Sequence, residues 1–96
     1  MEDMGVGDKI KADKYARMVL RYISDKGEEG AYLNELAKKL VGISRVTILS
    51  RLVSLDDTGV LVSQMERMEY GEEKVQKWTR KYRVSDKYKS LVESLV

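Results

Sequence analysis

Apolar residues follow a helical period in four segments of the chain, at about 9–26, 33–41, 45–58 and 86–95. Between 60 and 85 the period changes to alternation, and the runs "VLVSQMERMEY" and "KWTRKYRVS" predict two β-strands around a turn at "GEEKVQ". The stretch "AYL" predicts a short extended piece before the second helix. Together these elements predict an α+β fold, mainly helical, that forms one domain over 9–96.

The predicted helix boundaries coincide with residues that favour helix ends. The glycines of "KGEEG" end the first helix, Gly42 ends the second and Gly59 the third. Ser44 and Ser85 are good N-caps for the helices that follow them. The second and third helices are therefore joined by "VGIS", the spacing of a helix-turn-helix motif. Residues 1–8 mix glycines with acids and are predicted to form a loose tail.

The helix predicted at 45–58 carries two neighbouring apolar stripes, both of which are expected to be buried. The central stripe consists of Ile48, Leu52 and Leu55, and the second of Val46, Leu49 and Val53. The remaining arc consists of Thr47, Ser50, Arg51 and Ser54, with Ser44 and Arg45 at its N-terminal end. No acidic residue occurs in this helix before Asp56.

An arc of this composition suits the DNA major groove. Arginine pairs bidentately with guanine, and serine and threonine bond either bases or phosphates. The N-terminus of the helix adds partial positive charge and free N–H groups. Taken singly, each side chain is better explained as an ordinary surface residue. Taken together after a helix-turn-helix spacing, they favour DNA binding.

Basic residues are concentrated in one segment, although the net charge of the chain is only +2. Residues 74–89 contain seven Lys or Arg and one acid, a balance of 7 − 1 = +6. Charge alone fits a solvated basic strand as well as a polyanion-binding surface. Alternation predicts that Lys77, Lys81 and Arg83 share the face that contacts the DNA backbone, while Trp78, Tyr82 and Val84 pack inward.

Composition argues against catalysis and metal binding. Cys and His are both absent, which removes the thiolate nucleophile, the commonest general base and the commonest metal ligand. The tyrosines and carboxylates form no spaced catalytic cluster. We therefore expect no enzyme activity, no metal and no cofactor. The chain has no signal pattern and no apolar run near the ~20 residues of a membrane span, so a soluble, cytoplasmic protein is expected.

The stretch "NELAKKLVGISRVTILSRLVSLDDTGVLV" resembles the helix-turn-helix core of winged helix transcriptional regulators, the broad MarR, ArsR and PadR-like group. The matching positions are Glu35-Leu36-Ala37, Gly42-Ile43-Ser44, Leu52, Leu55, Gly59, Val60 and Leu61. "YRVSDKY" resembles the end of the wing and the start of the helix after it. The likeness covers roughly residues 10–90.

The resemblance implies a sequence-specific, double-stranded DNA-binding regulator of transcription. It assigns the major groove to Ser44, Arg45, Val46, Thr47, Ser50 and Arg51, and the backbone or minor groove to the basic wing residues. The chain departs from the pattern at Val41, an extra residue before the turn, and in its acidic wing tip "YGEE". The metal ligands of ArsR proteins and the Asp-x-Arg signature of MarR proteins are missing. The resemblance therefore implies a minimal regulator of archaeal, viral or plasmid type. The alternative is a winged helix protein-interaction module that binds no nucleic acid.

A homodimer is predicted from a second apolar stripe on the first helix. Tyr15, Met18 and Tyr22 lie about 100° from its core stripe, and the C-terminal helix stays apolar through Leu91 and Leu95. A two-fold dimer would present two recognition helices to a near-palindromic site. The alternative is that the last helix folds back and covers this stripe within one chain.

Overall fold

Helices form most of the protein, and the computed structural model describes residues 5–96. The helices are α1 (Val6–Ala12), α2 (Lys14–Lys26), α3 (Leu33–Lys39), α4 (Arg45–Asp57) and α5 (Lys89–Leu95). The strands are β1 (Ala31–Tyr32), β2 (Leu61–Tyr70) and β3 (Val75–Val84). Single 3-10 turns at Gly27–Glu29 and Asp86–Tyr88 precede β1 and α5. The described residues therefore form an α+β fold, mainly helical, in the predicted order.

The three strands form one antiparallel sheet in the order β1-β3-β2. The β2–β3 hairpin is paired from Leu61↔Val84 at its base to Tyr70↔Val75 at its tip. Residues 71–74 close it, with a bond from the Lys74 N–H to the Gly71 carbonyl. The turn is shorter than predicted because Val75 and Gln76 continue the ladder.

The hydrophobic core lies between the helices and the base of the hairpin. Its buried members include Ile48, Leu52 and Leu55, the central stripe predicted for α4, together with Ala16, Val19, Leu20, Ile23, Leu36 and Val92. Leu61 and Tyr82 close it from the core-facing side of the sheet. The rest of the ten-residue strands extends beyond this core, and the molecule measures 55 × 28 × 22 Å.

The first helix differs from the prediction in two ways. It begins at Val6, so the loose tail predicted for residues 1–8 is wrong for 6–8, and residues 1–4 lie outside the described residues. It also breaks at Asp13, whose backbone is extended. The carboxylate of Asp13 accepts bonds from the N–H groups of Tyr15 and Ala16, at 3.0 and 3.1 Å, and so caps α2.

Gly30 fixes the approach of β1 to β3. Its φ is +69°, and a Cβ there would lie 2.4 Å from the Tyr82 carbonyl oxygen. Only glycine combines this backbone conformation with so close a contact. The junction before β1 is therefore specified by a single residue.

Ser85 occupies the predicted N-cap position, at the start of the 3-10 turn Asp86–Tyr88, but the side-chain cap expected there is not formed. Its side chain makes no capping bond, and its hydroxyl is buried without a partner among the described residues. Its backbone N–H instead donates to the Val60 carbonyl at 2.9 Å. This bond joins the end of β3 to Val60, the residue before β2. The chain then passes through a 3-10 turn before α5 begins.

Candidate nucleic-acid interface

The outward face of α4 is the largest departure from the sequence-based expectation for this helix. Val46 is 77% exposed, and Leu49 and Val53 are also exposed, so the predicted burial of the second stripe is wrong. The reason is that α2, α3 and β2 pack against one side of α4 only. The exposed surface consists of Arg45, Val46, Leu49, Ser50, Val53, Ser54 and Asp57. Its first three turns carry no acid.

The N-terminal end of α4 is capped as predicted. The Ser44 hydroxyl accepts a bond from the Thr47 N–H at 3.1 Å and donates to the Thr47 hydroxyl at 2.9 Å. These two hydroxyls are therefore paired with each other. Arg45, next to them, is exposed and has no ion-pair partner within residues 5–96. Of the predicted groove-facing residues, Ser44, Arg45, Val46 and Ser50 are exposed, and Thr47 and Arg51 are partly buried.

Arg51 is partly buried and forms an ion pair that the sequence did not predict. Its Nε donates to the Asp13 carboxylate at 2.8 Å, and its guanidinium lies 5.8 Å from the centre of the Tyr15 ring. Since Asp13 also caps α2, one carboxylate connects the α1–α2 corner to the middle of α4. Arg51 helps to orient α4 through its Nε, and 30% of its side chain remains exposed.

A second polar cluster holds α3 against α2. The Glu35 carboxylate accepts from the Tyr22 hydroxyl at 2.6 Å and lies 3.0 Å from the Lys26 ammonium. Burial alone would raise the pKa of Glu35, but the bonds from Tyr22 and Lys26 outweigh burial and lower this pKa. The same hydrogen bond raises the pKa of Tyr22. The ionised carboxylate therefore fixes the helix that precedes α4.

The base of the hairpin is bonded to the C-terminal end of α4. The Ser63 hydroxyl donates to the Asp56 carboxylate at 2.8 Å, and Arg80 donates to the Ser63 hydroxyl at 3.0 Å. These bonds lie on the core-facing side of the sheet, the side shared by Leu61 and Tyr82. The hairpin and α4 are thus held in one fixed relation.

The outer face of the hairpin carries the three basic residues predicted to clamp DNA, but two of them are paired. Lys81 lies 3.7 Å from the Glu66 carboxylate and 5.7 Å from the Tyr32 ring centre. Arg83 lies 3.9 Å from Asp86. Lys77 is exposed. This face is therefore largely neutralised at the base of the hairpin.

Tyr32 and Glu66 form the tightest contact of the outer face. The Tyr32 hydroxyl donates to the Glu66 carboxylate, which together with partial burial raises the pKa of Tyr32 to about 12. The same bond lowers the pKa of Glu66. Glu66, the acid in the middle of the hairpin, is thereby bonded to Tyr32 of β1 and paired with Lys81.

Beyond the core, the core-facing side of the hairpin holds exposed residues that were not predicted from the sequence to contact DNA. Trp78 is 65% exposed, although alternation predicted that it packs inward. It pairs with exposed Arg67 on β2, and exposed Arg80 lies two positions along β3. The prediction was wrong because alternation identifies a face but not where the core beneath it ends. The length of the alternating runs was the available signal, since ten-residue strands span about 33 Å.

The predicted dimer residues are divided among several environments. α5 packs against α1 and α2, and Leu91, Leu95 and Tyr22 are partly buried. Tyr15 is also partly buried, beside Arg51. Of the predicted set only Met18 is exposed, with a relative exposure of 38%. Met18 and Val96 line a shallow groove whose edges are Lys14, Arg17 and Arg21.

Within residues 5–96, no cluster of three or more acidic side chains has the arrangement of a metal site. None of the helices in that range combines the length and apolarity that crossing a bilayer requires. Comparisons with protein-family models, with curated proteins and with solved structures find no match for this chain. The function of the protein is therefore inferred from the geometry of α4 and the hairpin.

Proposed function

We propose that the protein is a sequence-specific, double-stranded DNA-binding regulator of transcription with a winged helix architecture. In this assignment α3 and α4 are the helix-turn-helix, α4 is the recognition helix and the β2–β3 hairpin is the wing. The element order, the three-stranded antiparallel sheet and the tight turn at 40–44 support it.

The observation that carries the proposal is the outward face of α4. Over residues 45–55 this face has no acid, short side chains that allow close approach and, at the helix N-terminus, Arg45, which forms no ion pair within residues 5–96. Acids at these positions would repel phosphate, and the amino end of the helix attracts it. A purely solvated helix of this length would ordinarily show Glu and Lys on its exposed face.

The same face defines what could be read in the groove. Arg45 can pair with guanine, and the Ser50 hydroxyl can bond several bases. Val46 and Val53 can make only apolar contacts, and the apolar group that the major groove presents is the thymine methyl. We therefore expect preferred sites that combine a guanine near Arg45 with thymines under the valines.

A protein-interaction module is the second candidate, and one observation favours it. Val46, Leu49 and Val53 form a continuous exposed apolar stripe on α4. Such a stripe also suits a partner helix. If the protein is such a module and does not bind DNA, its affinity for DNA should be negligible at every salt concentration.

Selection of bound duplexes from a random pool tests the proposed function directly. On the selected site Arg45→Ala should weaken binding by ~1–3 kcal/mol and relax the preference at one base pair. Lys11→Ala is the control, because Lys11 is an exposed cation on α1, outside both the proposed DNA-binding face and the proposed dimer contact. Equal loss for Arg45→Ala on random duplexes would assign this residue to phosphate. Failure of the pool to yield any bound sequence would reject the proposal.

The homodimer remains part of the proposal in a narrower form. Tyr15 lies beside Arg51 of α4 and Tyr22 is bonded to Glu35 of α3, so a two-fold contact would centre on Met18 and Val96. Such a contact would set two copies of α4 on a near-palindromic site.

A further inference from the structure

Trp78 is the only tryptophan of the chain, and it lies exposed in the outer half of the wing. The register places Arg67 directly across from it, and Arg80 follows on the same face of β3. Within residues 5–96 no cation is stacked on its ring. A side chain with 150–250 Å² of mostly apolar surface therefore contributes little to the folded core.

The charges around the indole identify the kind of partner it fits. Arg67 and Arg80 flank it, while the nearby Glu69 carboxylate accepts a bond from the Gln76 amide at 3.4 Å. A flat apolar ring between two guanidinium groups matches a base with its neighbouring phosphates. Arg80 already donates to the Ser63 hydroxyl, whereas Arg67 forms no ion pair within residues 5–96, so a purely apolar partner would leave Arg67 without a counter-charge.

The position of Trp78 also agrees with the proposed placement of α4. The hairpin is bonded to the C-terminal end of α4 at Ser63, and Arg67, opposite Trp78, is four residues further along β2. Four residues of strand span about 13 Å. A major groove and the next minor groove of DNA are offset by half a helical turn, about 17 Å. The two lengths are of the same order, so Trp78 lies within reach of the minor groove next to the major groove that α4 would occupy.

We propose that Trp78 is the base-contacting residue of the wing, inserted against a base step in the minor groove, with Arg67 and Arg80 on the flanking phosphates. This inference rests on the proposed DNA binding. It assigns the DNA-facing side of the wing to the core-facing side of the sheet, opposite to Lys77, Lys81 and Arg83. Apolar wedges of this kind partly unstack a base step and bend the duplex.

Tryptophan fluorescence tests the proposal, because the signal comes from Trp78 alone. A labelled duplex from the pool selection is titrated with protein, and label anisotropy and indole emission are recorded together. Stacking on a base should quench the emission in step with the rise in anisotropy. Trp78→Ala should weaken binding roughly 5- to 100-fold, and Trp78→Phe less, since it keeps an aromatic ring.

Val75→Ala is the matched control, because Val75 is an exposed apolar residue on the opposite face of β3 and its removal should leave affinity unchanged. Binding with unaltered emission, and with Trp78→Ala equal to wild type, would overturn this inference but not the proposed function. A single-stranded oligonucleotide that binds and quenches more strongly than the duplex would also overturn it. No rise in anisotropy with any duplex would reject both.

Discussion

At the scale of single residues, Asp13 and Arg51 show how one carboxylate connects local structure to the candidate site. Asp13 caps α2 with one oxygen and binds Arg51 of α4 with the other. An arginine in an acid-free arc therefore has a structural role that the sequence pattern alone did not indicate. Arg45, which lacks such a partner within the described residues, is the exposed arginine of α4.

Substitution of Asp13 separates its two roles. Asp13→Asn keeps a capping oxygen but loses the ion pair, which is about one-third exposed and should contribute less than ~1 kcal/mol. Asp13→Ala loses the cap as well, a further ~0.5–2 kcal/mol. The free energy of unfolding in urea measures both. An alanine variant no less stable than the asparagine variant would contradict the capping role.

At the scale of elements, the orientation of α3 depends on a carboxylate that must be ionised. The pKa of Glu35 is lower in the folded protein than its ordinary 4.5, so folding favours the charged form. This contribution to stability is complete above pH 4.5 and is lost as the pH falls through the folded value. Glu35→Gln should therefore reduce the loss of stability between pH 7 and pH 3, measured by thermal unfolding at each pH. Glu93→Gln, at an exposed position on α5, is the control and should change nothing. An identical pH profile in Glu35→Gln would contradict the assignment.

Elements whose signals are local could be predicted from the sequence. Ser44 and the spacing of Ile48, Leu52 and Leu55 define α4 because capping and helical periodicity depend on neighbours along the chain. The exposure of Val46 and Trp78 could not be predicted, since it depends on where the core ends in space. The break at Asp13 was missed because the apolar period continues across it. Its cap is reinforced by Arg51, a residue distant in sequence.

At the scale of the whole molecule, the predicted self-association now depends on one small surface. α5 lies against α1 and α2, which leaves Met18 and Val96 as the exposed apolar residues at that end of the molecule. Lys14, Arg17 and Arg21 surround them and would approach their copies across a two-fold axis. Any dimer should therefore strengthen with salt, as screening reduces the repulsion of like charges.

Sedimentation at micromolar concentration tests this surface. We expect the wild-type protein to form a particle of twice 11.0 kDa, with a dimer fraction that rises with ionic strength. Met18→Lys adds a further positive charge to the apolar centre of this cation-edged contact and should give a monomer. Because Met18 is exposed, the helical circular dichroism of this variant should match that of wild type. Leu20→Glu is the contrasting variant: Leu20 is fully buried, so that substitution should unfold the chain. An 11.0 kDa wild-type particle that binds one half-site per domain would reject the dimer and leave the proposed DNA recognition by α4 intact.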